Sequence, residues 1–223
     1  KSVQPASAHI CLYLGLNKSS EALNLPKHNL WYYKHEGIDK IFDEATLENA
    51  PENFAYISFP SAKDPNWETK NPGTATIQAI SVGNMDWFEE FKDSNWMKRG
   101  EKYLQLKKSF EAEMLKVLYK FFPQIEGTIV TSEVSTPLST ENFTNYKSGE
   151  IYGLAHSPER FTLPFLRPKT KIKGLFLAGQ DITLVGVAGA MLSGLLCATA
   201  ILKFNSWKIF REVKRSKNSE FGF

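Results

Sequence analysis

Residues 171–202 read KIKGLFLAGQDITLVGVAGAMLSGLLCATAIL, and the pattern of this stretch decides how the chain is expected to fold. Ile172 to Ala178 is a short apolar run closing on Gly179, which predicts a buried strand. A polar step, Gln180-Asp181, follows. Ile182 to Leu202 is then twenty-one residues without a charge. Within it Gly186, Ala190, Gly194 and Ala198 recur every four positions, so on a helix they form one narrow face of small side chains. Such a face lets a helix backbone lie close to a neighbour or a ligand. Strand, turn and slim helix make half of a nucleotide-binding unit, with helix N–H groups aimed above the strand. Two plainer readings compete: a core helix, or a membrane span, because the run is long enough to cross a bilayer and has small-xxx-small spacing. Asp181 directly before it and the glycines near one end favour a cofactor-binding helix.

Outward from this stretch, the chain has 223 residues, 42% hydrophobic and 23% charged, a composition ordinary for a globular protein with a real core. The net charge of +3 is concentrated after Leu202, where six basic residues face two acidic ones. The body is near neutral, which argues against nucleic acid as a partner. Two cysteines, Cys11 and Cys197, in apolar contexts exclude a disulfide framework and argue against structural zinc. No signal peptide is visible and the chain starts at Lys1 in mid-pattern, so it is expected to be a piece of a longer protein, cytoplasmic or peripheral to a membrane. The tail, residues 205–223, mixes aromatics with basic residues and is read as solvated or as a weak peripheral membrane contact.

Taken in order, His9 to Leu16 alternates with a fully apolar face, a strand. Asn29 to Lys34 is a second. Ile38 to Pro51 reads as a short helix ended by Pro51. Phe54–Phe59 and Thr74–Val82 are two more strands, joined by the polar loop Ser61–Gly73 as a wide hairpin. Asp86 to Trp96 is a short helix or an aromatic lid, with its rings more often core than ligand contacts. Glu101 to Phe122 is the clearest helix, with Tyr103, Leu106, Phe110, Met114, Val117 and Phe121 on one stripe and Pro123 stopping it. Thr128 to Ser135 is a strand and Thr136 to Glu150 a polar loop. The fold class is α/β: a mixed-sheet domain with a long helix over residues 1–150, then a segment over 151–204, then the tail.

No motif carries catalysis alone, and His9, His28, His35 and His156 show no ligand spacing. Any chemistry would come from a cofactor. The run LRPKTKIKGLFLAGQDIT, residues 166–183, continuing through the small-faced helix, resembles the FAD-contacting C-terminal segment of the carotenoid desaturase and isomerase family. Gly179-Gln180-Asp181-Ile182 and Leu196-Cys197 make it most similar to the retinol saturase branch. TPLSTENFTNYKSGEIYG, residues 136–153, also matches the family pattern. The likeness runs from Thr136 onward. Before that it rests on the order of strands and the long helix.

The resemblance implies an FAD-dependent oxidoreductase acting on conjugated double bonds of a carotenoid- or retinoid-like polyene, by saturation, desaturation or isomerisation, with NAD(P) as candidate electron partner. Asp181 would accept a hydrogen bond from a ribityl hydroxyl, beside Gln180, and Gly179 would let the backbone pass close to the cofactor. The amides of Gly186, Val187, Ala188, Gly189 and Ala190 would aim their partial positive charge at the flavin pyrimidine or the pyrophosphate. Tyr152 and Gly153 would border the ring and the substrate channel, and residues 1–150, with the sheet of 9–82 and the helix at 101–122, would be the substrate-binding domain. Two departures stand out. Thr183-Leu184-Val185 occupies the place where many carotenoid desaturases carry Pro-Gly. The family's glycine-rich strand–turn–helix, which makes the N-terminal half of the Rossmann-like domain, is absent, so the chain by itself is expected to bind FAD weakly or not at all. Two readings from other classes remain: a non-catalytic lipid-binding or membrane-attached module, and a relative of the FAD amine oxidases.

Overall fold

A computed structural model of the chain describes residues 3–205, 207, 208 and 211. Among them five strands form one sheet: β1 (Ala8–Leu16), β2 (Leu30–Tyr33), β3 (Phe54–Ser58), β4 (Ala75–Gly83) and β5 (Ile129–Ser135). The order is β2-β3-β4-β1-β5 and every pairing is antiparallel, so the sheet is not mixed as expected.

The helices are α1 (Ile38–Asp43), α2 (Ala50–Asn53), α3 (Pro60–Lys63), α4 (Trp67–Lys70), α5 (Gly100–Phe121), α6 (Pro137–Thr144) and α7 (Gly186–Leu202). Pro51 does not end a helix but sits in the first turn of α2. Its missing N–H costs nothing there, because first-turn amides have no helical acceptor anyway. Residues 136–150 are not all loop either. Thr136 and Ser139 form a reciprocal capping box that starts α6, and Asn145 closes it in the left-handed region.

Contacts divide the chain into two compact units. One is Ser7–Ile151; the other joins the described residues before Ser7 to those from Tyr152 onward. In the first, α5 lays Tyr103, Phe110, Met114, Val117 and Leu118 into one core with Ile10, Leu12, Leu14, Leu16, Ile57 and Ile77. These strand residues share one sheet face by two-residue alternation. Each such side chain contributes about 1.5–3 kcal/mol when fully buried. The aromatic stretch after β4 winds into a 3-10 turn, Met85–Phe91, with Phe88 and Phe91 in the same core.

In the second unit, Ile172–Ala178 is not a strand. Its only ladder contact among the described residues is a bridge from Phe176 to Lys169, with Leu177 N–H donating to Pro168 at 2.8 Å. A strand needs a partner along its length, and the described residues offer Phe176 only this local one. Ile172 and Leu175 are exposed, so the apolar run marks a surface that no described residue covers. Residues 4–6 join this unit through Ala6 N–H to the Gly153 carbonyl and Ala155 N–H to the Gln4 carbonyl.

Candidate functional site

Asp181 lies in a single 3-10 turn, Gln180–Ile182, that starts at Gly179. Gly179 has φ +112°, a backbone state that side chains disfavour, and this sharp entry lets the chain double back. The turn is stitched to α7. Gly179 N–H donates to Ser193 Oγ at 2.8 Å, and the Thr183 hydroxyl donates to the Gly189 carbonyl at 2.6 Å. Gly189 and Ser193 are both buried, one turn apart on α7, and a Cβ on Gly189 would overlap the backbone of Leu184. The close approach thus uses Gly189–Ser193 and not the expected face. Gly186, Ala190 and Gly194 stay exposed, and nothing lies near a Cβ added at Gly186 or Gly194.

Asp181 Oδ1 accepts the Leu154 N–H at 2.8 Å, which brings the 152–154 segment against the turn. Gly153 has φ +65°, and a Cβ there would lie 2.9 Å from Asp181 Cγ, so only glycine fits beside this carboxylate. Tyr152 is half exposed beside it in the chain. The amino end of α7 has no side-chain cap, and its first turn, Gly186, Val187 and Ala188, is exposed. Uncapped amides and the helix dipole leave partial positive charge there. The turn therefore pairs a fixed carboxylate, one of whose oxygens is engaged, with an open helix terminus bearing small side chains.

The residue that holds this arrangement is one that sequence reading passed over. Arg160, 4% exposed, donates Nη1 to the Leu154 carbonyl at 3.1 Å and Nη2 to the carbonyls of Gln180 at 2.8 Å and Thr183 at 3.3 Å. Nη1 also meets His156 Nε2 at 2.7 Å. Burial, then the charge of Arg160, hold His156 below its ordinary value, with Asp181 pulling the other way.

The sheet unit holds a cavity of about 700 Å³ at the β5 edge. Tyr13, Trp96, Tyr103, Leu104 and Phe143 give it an apolar, aromatic wall. Its charged lining groups are already engaged: Lys107 pairs with Glu133, Glu150 accepts the Ser148 N–H, and Arg99 donates to the Ser94 carbonyl between the rings of Trp96 and Tyr103. His9 is the exception, with a buried Nδ1 that has no partner and a pKa lowered by burial. Cys11, on the same sheet face, is pushed by burial to about 11 and is thus a poor nucleophile near neutral pH. No three His, Cys, Asp or Glu side chains among the described residues cluster as metal ligands.

Comparison with known proteins bears on all of this. The chain is 32% identical over 97% of its length to an all-trans-retinol 13,14-reductase of Danio rerio, and 34% identical over 91% to the protein of that name from Rattus norvegicus. The chain belongs to the all-trans-retinol 13,14-reductase family. It spans little more than a third of the length of these relatives, 37% and 35%. A Danio rerio protein named inactive all-trans-retinol 13,14-reductase is 29% identical over 91% of the chain. No family model matches.

In this reductase-family chain, Gly179, Gln180, Asp181, Gly153 and the amino end of α7 come together, as does Tyr152 by chain continuity. The carboxylate stands in a turn and not at a strand tip. Arg160, Thr183 and Ser193 completed the site without a sequence signal, apart from Ser193 lying four residues after Gly189 in an otherwise apolar run. No helix among the described residues is long and apolar enough to cross a membrane. The reading of the basic tail falls mostly outside the described residues.

Proposed function

We propose that this chain forms part of an FAD-dependent oxidoreductase that acts on a conjugated carbon–carbon double bond of a retinoid-like polyene. The observation that carries this reading is the Gly179–Thr183 turn, which holds Asp181 against Gly153 beside the uncapped end of α7. The residues suit the group: a carboxylate oxygen left for a ribityl hydroxyl, exposed small residues at 186, 188 and 190 for close approach, and helix amides for an electron-rich ring edge or a phosphate. FAD, when bound, supplies the two-electron chemistry. The protein's part is to fix the carboxylate and to offer partial positive charge where the reduced ring is electron-rich. The cavity of the sheet unit has an apolar, aromatic wall, and its lining charges are held in hydrogen bonds or an ion pair, which suits a long uncharged ligand; the reductase names of the relatives point to retinol. NAD(P) as electron partner belongs to the same proposal.

Asp181 is where the test falls. The protein that carries this chain should be purified with flavin absorbance and should convert all-trans-retinol to a product with one fewer double bond, resolved by chromatography. Asp181→Ala should lose at least half its flavin while folding normally by circular dichroism. Wild-type protein without flavin, or a variant with undiminished flavin, would overturn the assignment.

A further inference from the structure

The Arg160 guanidinium is buried, yet the acceptors it meets are neutral: three carbonyls and an imidazole nitrogen. Taking a cation out of water costs several kcal/mol unless its donors are satisfied. A plain structural tie in a loop can be made with an amide or hydroxyl at less cost, so the placement of this one calls for a reason.

The acceptors supply it. Gln180 and Thr183 bracket Asp181, and the third carbonyl belongs to Leu154, whose own N–H is the donor to Asp181 Oδ1. One planar fork therefore grips the chain before the carboxylate, after it, and on the residue that hydrogen-bonds it. Guanidinium has no acceptor atom, so His156 Nε2 must present a lone pair to it, and His156 stands here neutral with its proton on Nδ1. The charged groups facing His156 are Arg160 and Asp181.

We infer that Arg160 is the positioning residue for Asp181, with neutral His156 as its fourth acceptor. It acts by fixing the Gly179–Thr183 turn and does not itself touch the cofactor. This rests on the flavin reading above for its purpose, but the geometry is readable without flavin. Protonation of His156 would replace its lone pair with an N–H facing the guanidinium, and the fork would lose one support. Lysine could not replace arginine, because a single ammonium lacks the planar geometry that reaches carbonyls on both sides of a turn.

Amide hydrogen exchange at Leu154 reports the bond to Asp181 directly. Arg160→Gln should speed exchange at Leu154 by about ten- to a hundredfold, the range for losing a charge-assisted bond, with amides of β1 and β4 unchanged. Arg160→Lys should recover only part of the protection. Flavin content should fall in step with protection across the series. In wild-type protein Leu154 exchange, corrected for its intrinsic pH dependence, should speed up as pH falls through the His156 titration, and exposed His156→Gln, which keeps a neutral acceptor, should flatten that profile. Should Arg160→Gln fail to fold, the His156→Gln profile still decides. Unchanged Leu154 protection in Arg160→Gln, full recovery with lysine, or a pH response that survives His156→Gln would overturn the proposal. Lost protection with undiminished flavin would overturn its purpose. A wild-type protein without flavin would sink the flavin reading while the exchange series still judged the fork.

Discussion

Gly153 shows how much one missing Cβ can matter. Its φ is +65°, and a Cβ added there would lie 2.9 Å from Asp181 Cγ, so an alanine would be both strained and in collision. Gly153→Ala should therefore destabilise the protein by about 1–3 kcal/mol and displace the carboxylate, read as a lower thermal midpoint together with reduced flavin. An alanine variant as stable as wild type would mean the carboxylate moves aside freely, contrary to its fixed role. Gly153 and Asp181 were both legible in sequence as members of a resembling motif, but their contact spans twenty-eight positions and left no trace there. Arg160 was less legible still. A lone arginine in a single 3-10 turn, Pro158–Thr162, has no period, and its acceptors lie 4 to 23 positions away.

At the scale of elements, α7 carries two glycines with opposite expectations. A Cβ on Gly189 would overlap Leu184 backbone, whereas one on Gly194 meets open space. Gly189→Ala should cost about 1–3 kcal/mol by forcing helix and turn apart. Gly194→Ala should stabilise by about 0.5–1 kcal/mol, because helical glycine carries an entropic penalty that alanine lacks. Urea unfolding of the two variants checks the pair, and equal shifts would contradict the assigned packing face. The sequence displayed the helix but not which of its small-residue rows is used, since 186/190/194 and 189/193 have the same spacing. By contrast α5 was readable almost to the residue, because a long amphipathic stripe bounded by proline has one solution. Ile172–Ala178 misled for the converse reason: an apolar run states a wish for burial, and pairing requires a neighbour.

Across the whole molecule, acid response joins the two units, because each holds one histidine kept below its ordinary value, His9 by burial and His156 by burial first and Arg160 second. Both start from 6.5 in the unfolded chain. As pH falls below that value the unfolded state takes up protons that the folded state refuses, so stability drops until the lowered folded values are reached. Above it these groups add no slope. Unfolding midpoints measured from about pH 7.5 down to about pH 5.5 should decline, and His9→Phe should remove part of the decline. A flat profile in wild type would mean that neither histidine is held below its ordinary value by its surroundings.

The amino-acid order alone determined the five strands of the sheet and the long helix, because period, proline and glycine act over a few neighbouring residues. Only the folded chain decided which glycine row closes on the turn, which apolar run goes unpaired, and which arginine grips the carboxylate's loop. Those outcomes depend on groups distant in sequence meeting within hydrogen-bond reach, and no local pattern encodes such a meeting.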